Sequence, residues 1–256
     1  MRGARPKPRI LLGDDEPVFQ VLPLEVLDNL RRPASEAALV WNLIYPLARP
    51  TLSLAELLSI RPLWGTASLS ADDELTPYYW GYSADGQRLP ALDDILREID
   101  GSGKPTEVDL FLVGRGHLVA AEAKNLASLG RCSRFMAGRC PEIHRTHEAA
   151  GDACRYWEPG PAQFDRWLDF GSRPAPGDLP PLCSRHYQLG RTLLVGGSLA
   201  SALGLRLHLW LITPRSRWRS FQAAWLEFVE QLRSEELWRA ARVLAWEDIR
   251  GLGRRA

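Results

Sequence analysis

Residues 107–124, EVDLFLVGRGHLVAAEAK, restrict the fold of this chain more than any other stretch. Two short apolar runs, 108–113 and 118–123, flank Gly114-Arg115-Gly116-His117. Apolar runs of this length around a glycine-rich break predict a β-hairpin buried on both faces. A two-residue turn at Arg115 and Gly116 sets Asp109 directly across from Glu122, and Glu107 across from Lys124. Glu122 and Lys124 stand two apart on one strand, so their side chains leave the same face. The hairpin therefore gathers two carboxylates and a lysine at one spot in apolar surroundings.

Buried charge is costly unless it is paired or holds a metal. Two carboxylates at cross-strand distance repel, and one pKa rises unless a cation lies between them. A hard divalent ion such as Mg²⁺ takes one or two carboxylates and keeps several waters, which leaves room for a phosphate oxygen. The competing reading is a surface ladder of Glu–Lys and Asp–Arg pairs, and the apolar intervening positions argue against it. Lysine occurs only at Lys7, Lys104 and Lys124, so 29 of the 32 basic residues are arginine. A chain with that preference still sets a lysine two residues after Glu122. Lysine is a compact donor with a tunable pKa, which guanidinium is not.

Asp109, followed on the next strand by Glu122-Ala123-Lys124, resembles the active-site signature of the PD-(D/E)xK nuclease superfamily, with Val108 where the named motif has proline. The resemblance takes in residues near 35 and from 105 to 212. It implies a restriction-endonuclease-like core, a central mixed β-sheet flanked by helices, in an α/β chain. It also implies that Asp109 and Glu122 hold Mg²⁺ or Mn²⁺, that Lys124 assists the attacking water, and that the partner is nucleic acid, DNA foremost.

Two flanking helices join this expectation. Ser35 reads as the N-cap of a helix running to about residue 47, with Glu36, Leu39, Val40, Leu43 and Leu47 on one face. Glu36 is either a first-turn acid favoured by the helix dipole or, by the resemblance, a further acid at the metal site. Ser184 reads as the cap of a helix over 185–203, closed by Gly204. Gln188 and Arg191 share a side of that helix. The resemblance places Gln188 beside the active site, with Tyr187 and Arg191 as phosphate contacts; an ordinary surface arginine is the competing reading of Arg191.

The rest of the chain is read around this centre as one domain, residues 1–256. Residues 1–17 read as a loose tail, and helices are expected at 22–30, 54–60 and 92–99. Tyr78-Tyr79-Trp80 reads as core or edge strand, or as a stacking surface for bases. Strands are expected at 205–212 and 243–246, with an apolar, aromatic-rich helix between them facing the core. Residues 125–183 read as an irregular insertion that holds every cysteine: Cys132, Cys140, Cys154 and Cys183, with His144 and His147 nearby. These supply soft ligands for Zn²⁺ or an iron–sulfur cluster; without the tight Cys-x2-Cys spacing, four reduced thiols are the competing reading.

Charge is unevenly spread along the chain. No acid falls between Asp178 and Glu227, yet six arginines do, and Arg215, Arg217 and Arg219 lie just past a strand end where phosphate contacts are expected. A solvated basic face balanced by acids elsewhere is the alternative, in keeping with a net charge of only +1. No apolar run reaches the roughly 18 residues of a membrane span, and the first residues lack the apolar core of a secretory signal. A cytoplasmic protein is expected. The functional expectation is a metal-dependent nuclease, with a nuclease-like protein that binds nucleic acid or a partner without cleaving as the alternative.

Overall fold

A computed structural model describes residues 11–49, 51–66, 71–145, 153–178 and 180–252. The first half of the chain gives α1 (Leu24–Leu30), α2 (Glu36–Leu47), β1 (Leu52–Ser53), α3 (Leu54–Ser59), β2 (Glu74–Tyr79) and α4 (Leu92–Asp100). The central hairpin follows as β3 (Leu110–Val113) and β4 (His117–Ala123), then α5 (Ser133–Met136), α6 (Leu182–Arg185) and α7 (Tyr187–Leu203). The chain closes with β5 (Arg206–Thr213), α8 (Trp218–Val229), α9 (Glu235–Ala240), β6 (Arg242–Ala245) and α10 (Trp246–Leu252). Among the described residues no helix is long and apolar enough to cross a membrane.

The strands form one six-stranded mixed sheet in sequence order. β1 to β4 are antiparallel neighbours, and β5 and β6 continue parallel to β4. Leu110 pairs with Ala121 and Val113 with Leu118, the register that a two-residue turn requires. Asp73 holds that turn, accepting from Arg115 N at 3.0 Å and Gly116 N at 2.9 Å. Burial alone would raise the Asp73 pKa, but these N–H groups and His117 outweigh it and keep the carboxylate below its usual range.

Side chains alternate between two cores. Phe111, Leu118, Ala120, Leu209, Leu211 and Val243 face α4, α7 and α8. Leu110, Val119, Ala121, Trp210, Ile212 and Leu244 face α1, α2, α3 and α10. Burial on both sides explains why β4 and β5 read as continuous apolar runs. α7 lies close on β4, since a Cβ at Gly196 would stand 2.9 Å from Ala120 Cβ.

Several expectations are corrected. The helix expected from Ser184 breaks at His186 and restarts at Tyr187. The bond that would bridge the break is replaced by two to the preceding segment: Gln188 N donates to Gly130 O at 3.2 Å, and Ser184 O accepts from Cys132 N at 3.0 Å. Gly204 does end the helix, in the left-handed region at φ 67°. Residues 11–17 are no loose tail. Leu12 N donates to Asn42 Oδ1 and Leu12 O accepts from the Trp41 indole, while Glu16 bonds Tyr45 and Arg49, which ties the stretch to α2 and the residues after it. Residues 1–10 lie outside the described residues. The aromatic stripe of α8 is core, with Phe221, Trp225 and Phe228 buried. The described residues between 125 and 181 are largely irregular, yet Trp157, Phe164 and Leu168 enter the α7-side core.

Candidate active site

The open end of the β3–β4 hairpin gathers the five expected site residues. Asp109 immediately precedes β3; Trp80 N donates to its carbonyl at 3.3 Å, and Ala123 N donates to its Oδ2 at 2.9 Å. Glu122 is fully buried on the α7 face of β4. Gln188 Nε2 donates to Glu122 Oε2 at 2.7 Å, and the Thr192 hydroxyl donates to Oε1. Gln188 is held in turn by Gly130 N, which donates to its Oε1 at 2.8 Å. Lys124 Nζ stands 3.9 Å from Glu122 Oε2 and 3.7 Å from Glu36 Oε2. The Lys124 backbone is pinned to Ile212 O and to the Trp246 indole. Glu36, in the first turn of α2, accepts from Asn125 N at 2.9 Å. Its first-turn position and its place in the site are thus compatible.

The electrostatics follow from burial. Desolvation, opposed by Lys124, holds Asp109 above the usual carboxylate range; desolvation and the Asp109 charge do the same to Glu122. The two carboxyl groups face each other across the hairpin, so a proton held by one of them relieves their repulsion. Burial pushes the Lys124 ammonium down, but Glu122, Asp109 and Glu36 outweigh it and hold it above the ordinary lysine range. Lys124 is therefore a cationic donor at neutral pH. Where two buried carboxylates share a proton, a divalent cation can take its place, and an all-oxygen pair fits Mg²⁺ or Mn²⁺. Among the described residues no three His, Cys, Asp or Glu side chains stand close enough to hold one ion, so such an ion would rest on Asp109 and Glu122 with waters or phosphate oxygens.

Two clefts open on this centre. One of about 390 Å³ is lined by Asn29, Arg32, Glu36, Trp80, Glu107 and Asp109. The other, about 300 Å³, is lined by Lys104, Glu107, Arg131, Gln188, Arg191 and Thr192. Arg131 also borders a groove of about 1100 Å³ with Arg185 and Arg217.

The expected phosphate contacts divide in two. Arg191 is tied to Asp100 at 2.7 Å and to Lys104 O, and lies over the Tyr187 ring at 5.3 Å. Tyr187 shares a hydroxyl contact of 3.2 Å with Tyr156. Arg215 pairs with Asp248, beside a separate cleft of about 780 Å³. Arg185 and Arg206 pair with Glu227 and Glu236. Acids from distant parts of the chain thus cancel much of the basic run. Among the described residues, Arg217, whose guanidinium donates to Leu126 O at 3.2 Å, and the exposed Arg219 have no ion pair.

Cys132, Cys140, Cys154 and Cys183 are free thiols. His144 Nδ1 accepts from Cys140 N at 3.1 Å, and His147 lies outside the described residues. Tyr79 is core, packed on Trp41. Two contributors went unread in the sequence, Thr192 and Asn125, and Trp80 was read as core, edge strand or a stacking surface rather than as a support of Asp109. Thr192 had a signal, standing one helical turn beyond Gln188. Trp80 lines the mouth with φ 50°, a strained value for a bulky residue. No protein-family model, curated protein or solved structure matches this chain.

Proposed function

We propose that this protein is a metal-dependent nuclease of the PD-(D/E)xK type that hydrolyses phosphodiester bonds, with DNA as the foremost substrate. The observation that carries this reading is the facing Asp109–Glu122 pair, Glu122 fully buried and Asp109 partly so, with the Lys124 ammonium beside it. The topology supports it too: antiparallel β2, β3 and β4, then α7, then β5 parallel to β4, is the order expected of a restriction-endonuclease-like core.

A bound Mg²⁺ or Mn²⁺ would supply Lewis-acid polarisation of the phosphate and a more acidic water. The chain's own residues do the rest. Gln188 and Thr192 fix both oxygens of Glu122, so its orientation is set before substrate arrives. Ala123 N–H does the same for Asp109. Lys124, held as an ammonium by three carboxylates, orients the attacking water and stabilises negative charge growing on the phosphate. Glu122 and Lys124 are almost closed off, whereas Asp109 and Glu36 are only part-buried and line the cleft by which the scissile phosphate reaches the centre.

The test is cleavage of supercoiled plasmid and of labelled single- and double-stranded oligonucleotides with Mg²⁺ or Mn²⁺. Asp109→Ala and Lys124→Ala run beside the wild type, with folding verified. Cutting is expected to vanish with EDTA and to fall at least 100-fold in both variants, on the order of 3 kcal/mol of lost transition-state stabilisation. Cutting that survives both substitutions would remove the hairpin as catalytic centre. Tight binding without cutting by all three proteins would identify a nuclease-like binding protein instead.

A further inference from the structure

Glu122 and Lys124 are 0% and 5% exposed, so a phosphate approaches the centre past Asp109 and Glu36, which line the cleft of about 390 Å³. A space of that size takes one small molecule, or one nucleotide, at a time. A DNA duplex is a stiff rod with a persistence length of about 50 nm, and it cannot fold a phosphate into such a cleft. A single strand turns at each nucleotide and can. The cleft also has neighbours. Glu107 lines both it and the cleft of about 300 Å³, while Gly130 and Arg131 line both that second cleft and the groove of about 1100 Å³. The three join into one track that runs past the carboxylates. Residues 126–131 border every part of it. That stretch is pinned: Asn125 N donates to Glu36 Oε1 at 2.9 Å, Arg217 to Leu126 O at 3.2 Å, and Gly130 N to Gln188 Oε1 at 2.8 Å.

Each part of the track offers a flat side chain and a cation. Trp80 and Arg32 line the first cleft, Tyr187 and Arg191 the second, and Arg217 with Arg131 the groove. The Arg191 guanidinium lies over the Tyr187 ring at 5.3 Å, and that of Arg217 over the Phe221 ring at 5.8 Å. Phe221 is core, so the face it leaves to the groove is the guanidinium above it. A guanidinium plane backed by a ring is a platform on which a base stacks, and its charge meets the adjoining phosphate. Arg217 Nε has no hydrogen-bond partner, which leaves that platform with a free donor. Bases stacked inside a duplex cannot reach such faces, whereas the exposed bases of a single strand can.

We propose that this track holds single-stranded DNA, with bases against the flat faces of Trp80, Arg191 and Arg217 and one phosphate at Asp109. The choice of DNA rests on the nuclease reading; the preference for a single strand rests on the shape and lining of the track. Stacking accepts every base, so the track carries little sequence preference. The strand passes from the carboxylates along residues 126–131 into the groove, where Arg131 and Arg217 meet its backbone.

The experiment is fluorescence anisotropy with the full chain in EDTA. The probes are a labelled DNA strand of about 12 nucleotides, the same strand in a duplex, and the same sequence as RNA. The single DNA strand is expected to bind at least tenfold more tightly than the duplex. Arg217→Lys keeps the charge and loses the plane, so it is expected to weaken single-strand binding at least fivefold with the melting point unchanged. Duplex bound as tightly as the single strand, RNA bound more tightly than DNA, or wild-type affinity in Arg217→Lys would each overturn the assignment. Binding is read without metal, so it separates from catalysis. Single-strand preference with no cutting under Mg²⁺ would sink the nuclease reading and keep the track, and duplex cutting without that preference would do the reverse.

Discussion

Glu122 is wholly buried, accepts from Thr192 and Gln188, and still faces a second carboxylate across the hairpin. Folding gains nothing from that pairing, because each charge loses its hydration and repels the other. Asp109→Asn is informative here. Its carbonyl oxygen can still accept from Ala123 N–H, and its amide becomes a donor toward Glu122. In EDTA this variant is expected to be more stable than the wild type by about 1–2 kcal/mol, on the scale of a hydrogen bond to a charged group. For a chain of this size that is a melting-point rise of about 2–4 °C per kcal/mol. Added Mg²⁺ is expected to raise the wild-type melting point and leave the variant unmoved. A variant less stable than wild type in EDTA would mean the pair is a structural asset. The pair was legible in the sequence because strand periodicity and a two-residue turn together determine which residues oppose. The support that Trp80 gives was not: its backbone bond to Asp109, made just past the end of β2, joins segments that no local pattern links.

α7 carries Gln188 and Thr192, so its seating on β4 sets how Glu122 is held. Its end was readable from Gly204, whereas its start depends on bonds to Gly130 and Cys132, more than fifty residues away along the chain, which no local pattern encodes. The seating depends on Gly196. Alanine there gains about 1 kcal/mol of helix propensity. It also drives a methyl to 2.9 Å from Ala120 Cβ, a rigid neighbour on a strand, and overpacking of that kind costs about 1–3 kcal/mol. Gly196→Ala is therefore expected to be neutral to 2 kcal/mol destabilising, and Gly196→Leu clearly worse, with cleavage falling as Gln188 and Thr192 shift off Glu122. Ala120→Gly in the same chain opens the space, so a double-mutant cycle in urea is expected to show favourable coupling between the two sites. Strict additivity would mean that α7 does not rest on β4 through this contact.

At the scale of the whole molecule, the decisive quantity is how little of the basic charge is free. The linear run from Asp178 to Glu227 suggested a broad phosphate-binding face, but folding sets Asp100, Glu227, Glu236 and Asp248 against four of its arginines. Pairing across the fold is invisible to a reading along the chain, and this is why the hairpin chemistry was legible and the extent of the binding surface was not. Around the site and its groove, Arg32, Arg131 and Arg217 remain without an ion pair among the described residues. Three phosphate contacts correspond to a slope of log K against log salt of about −2.7 on duplex DNA. Binding by an Asp109→Ala protein is then expected to weaken only about 40-fold between 50 and 200 mM salt. Replacing all three arginines with glutamine is expected to flatten the dependence while leaving the fold intact. A slope twice as steep would mean that the paired arginines release their carboxylates to take phosphates, making the ion pairs a latent part of the interface. A slope unchanged in the triple variant would send the nucleic acid past a different face of the sheet.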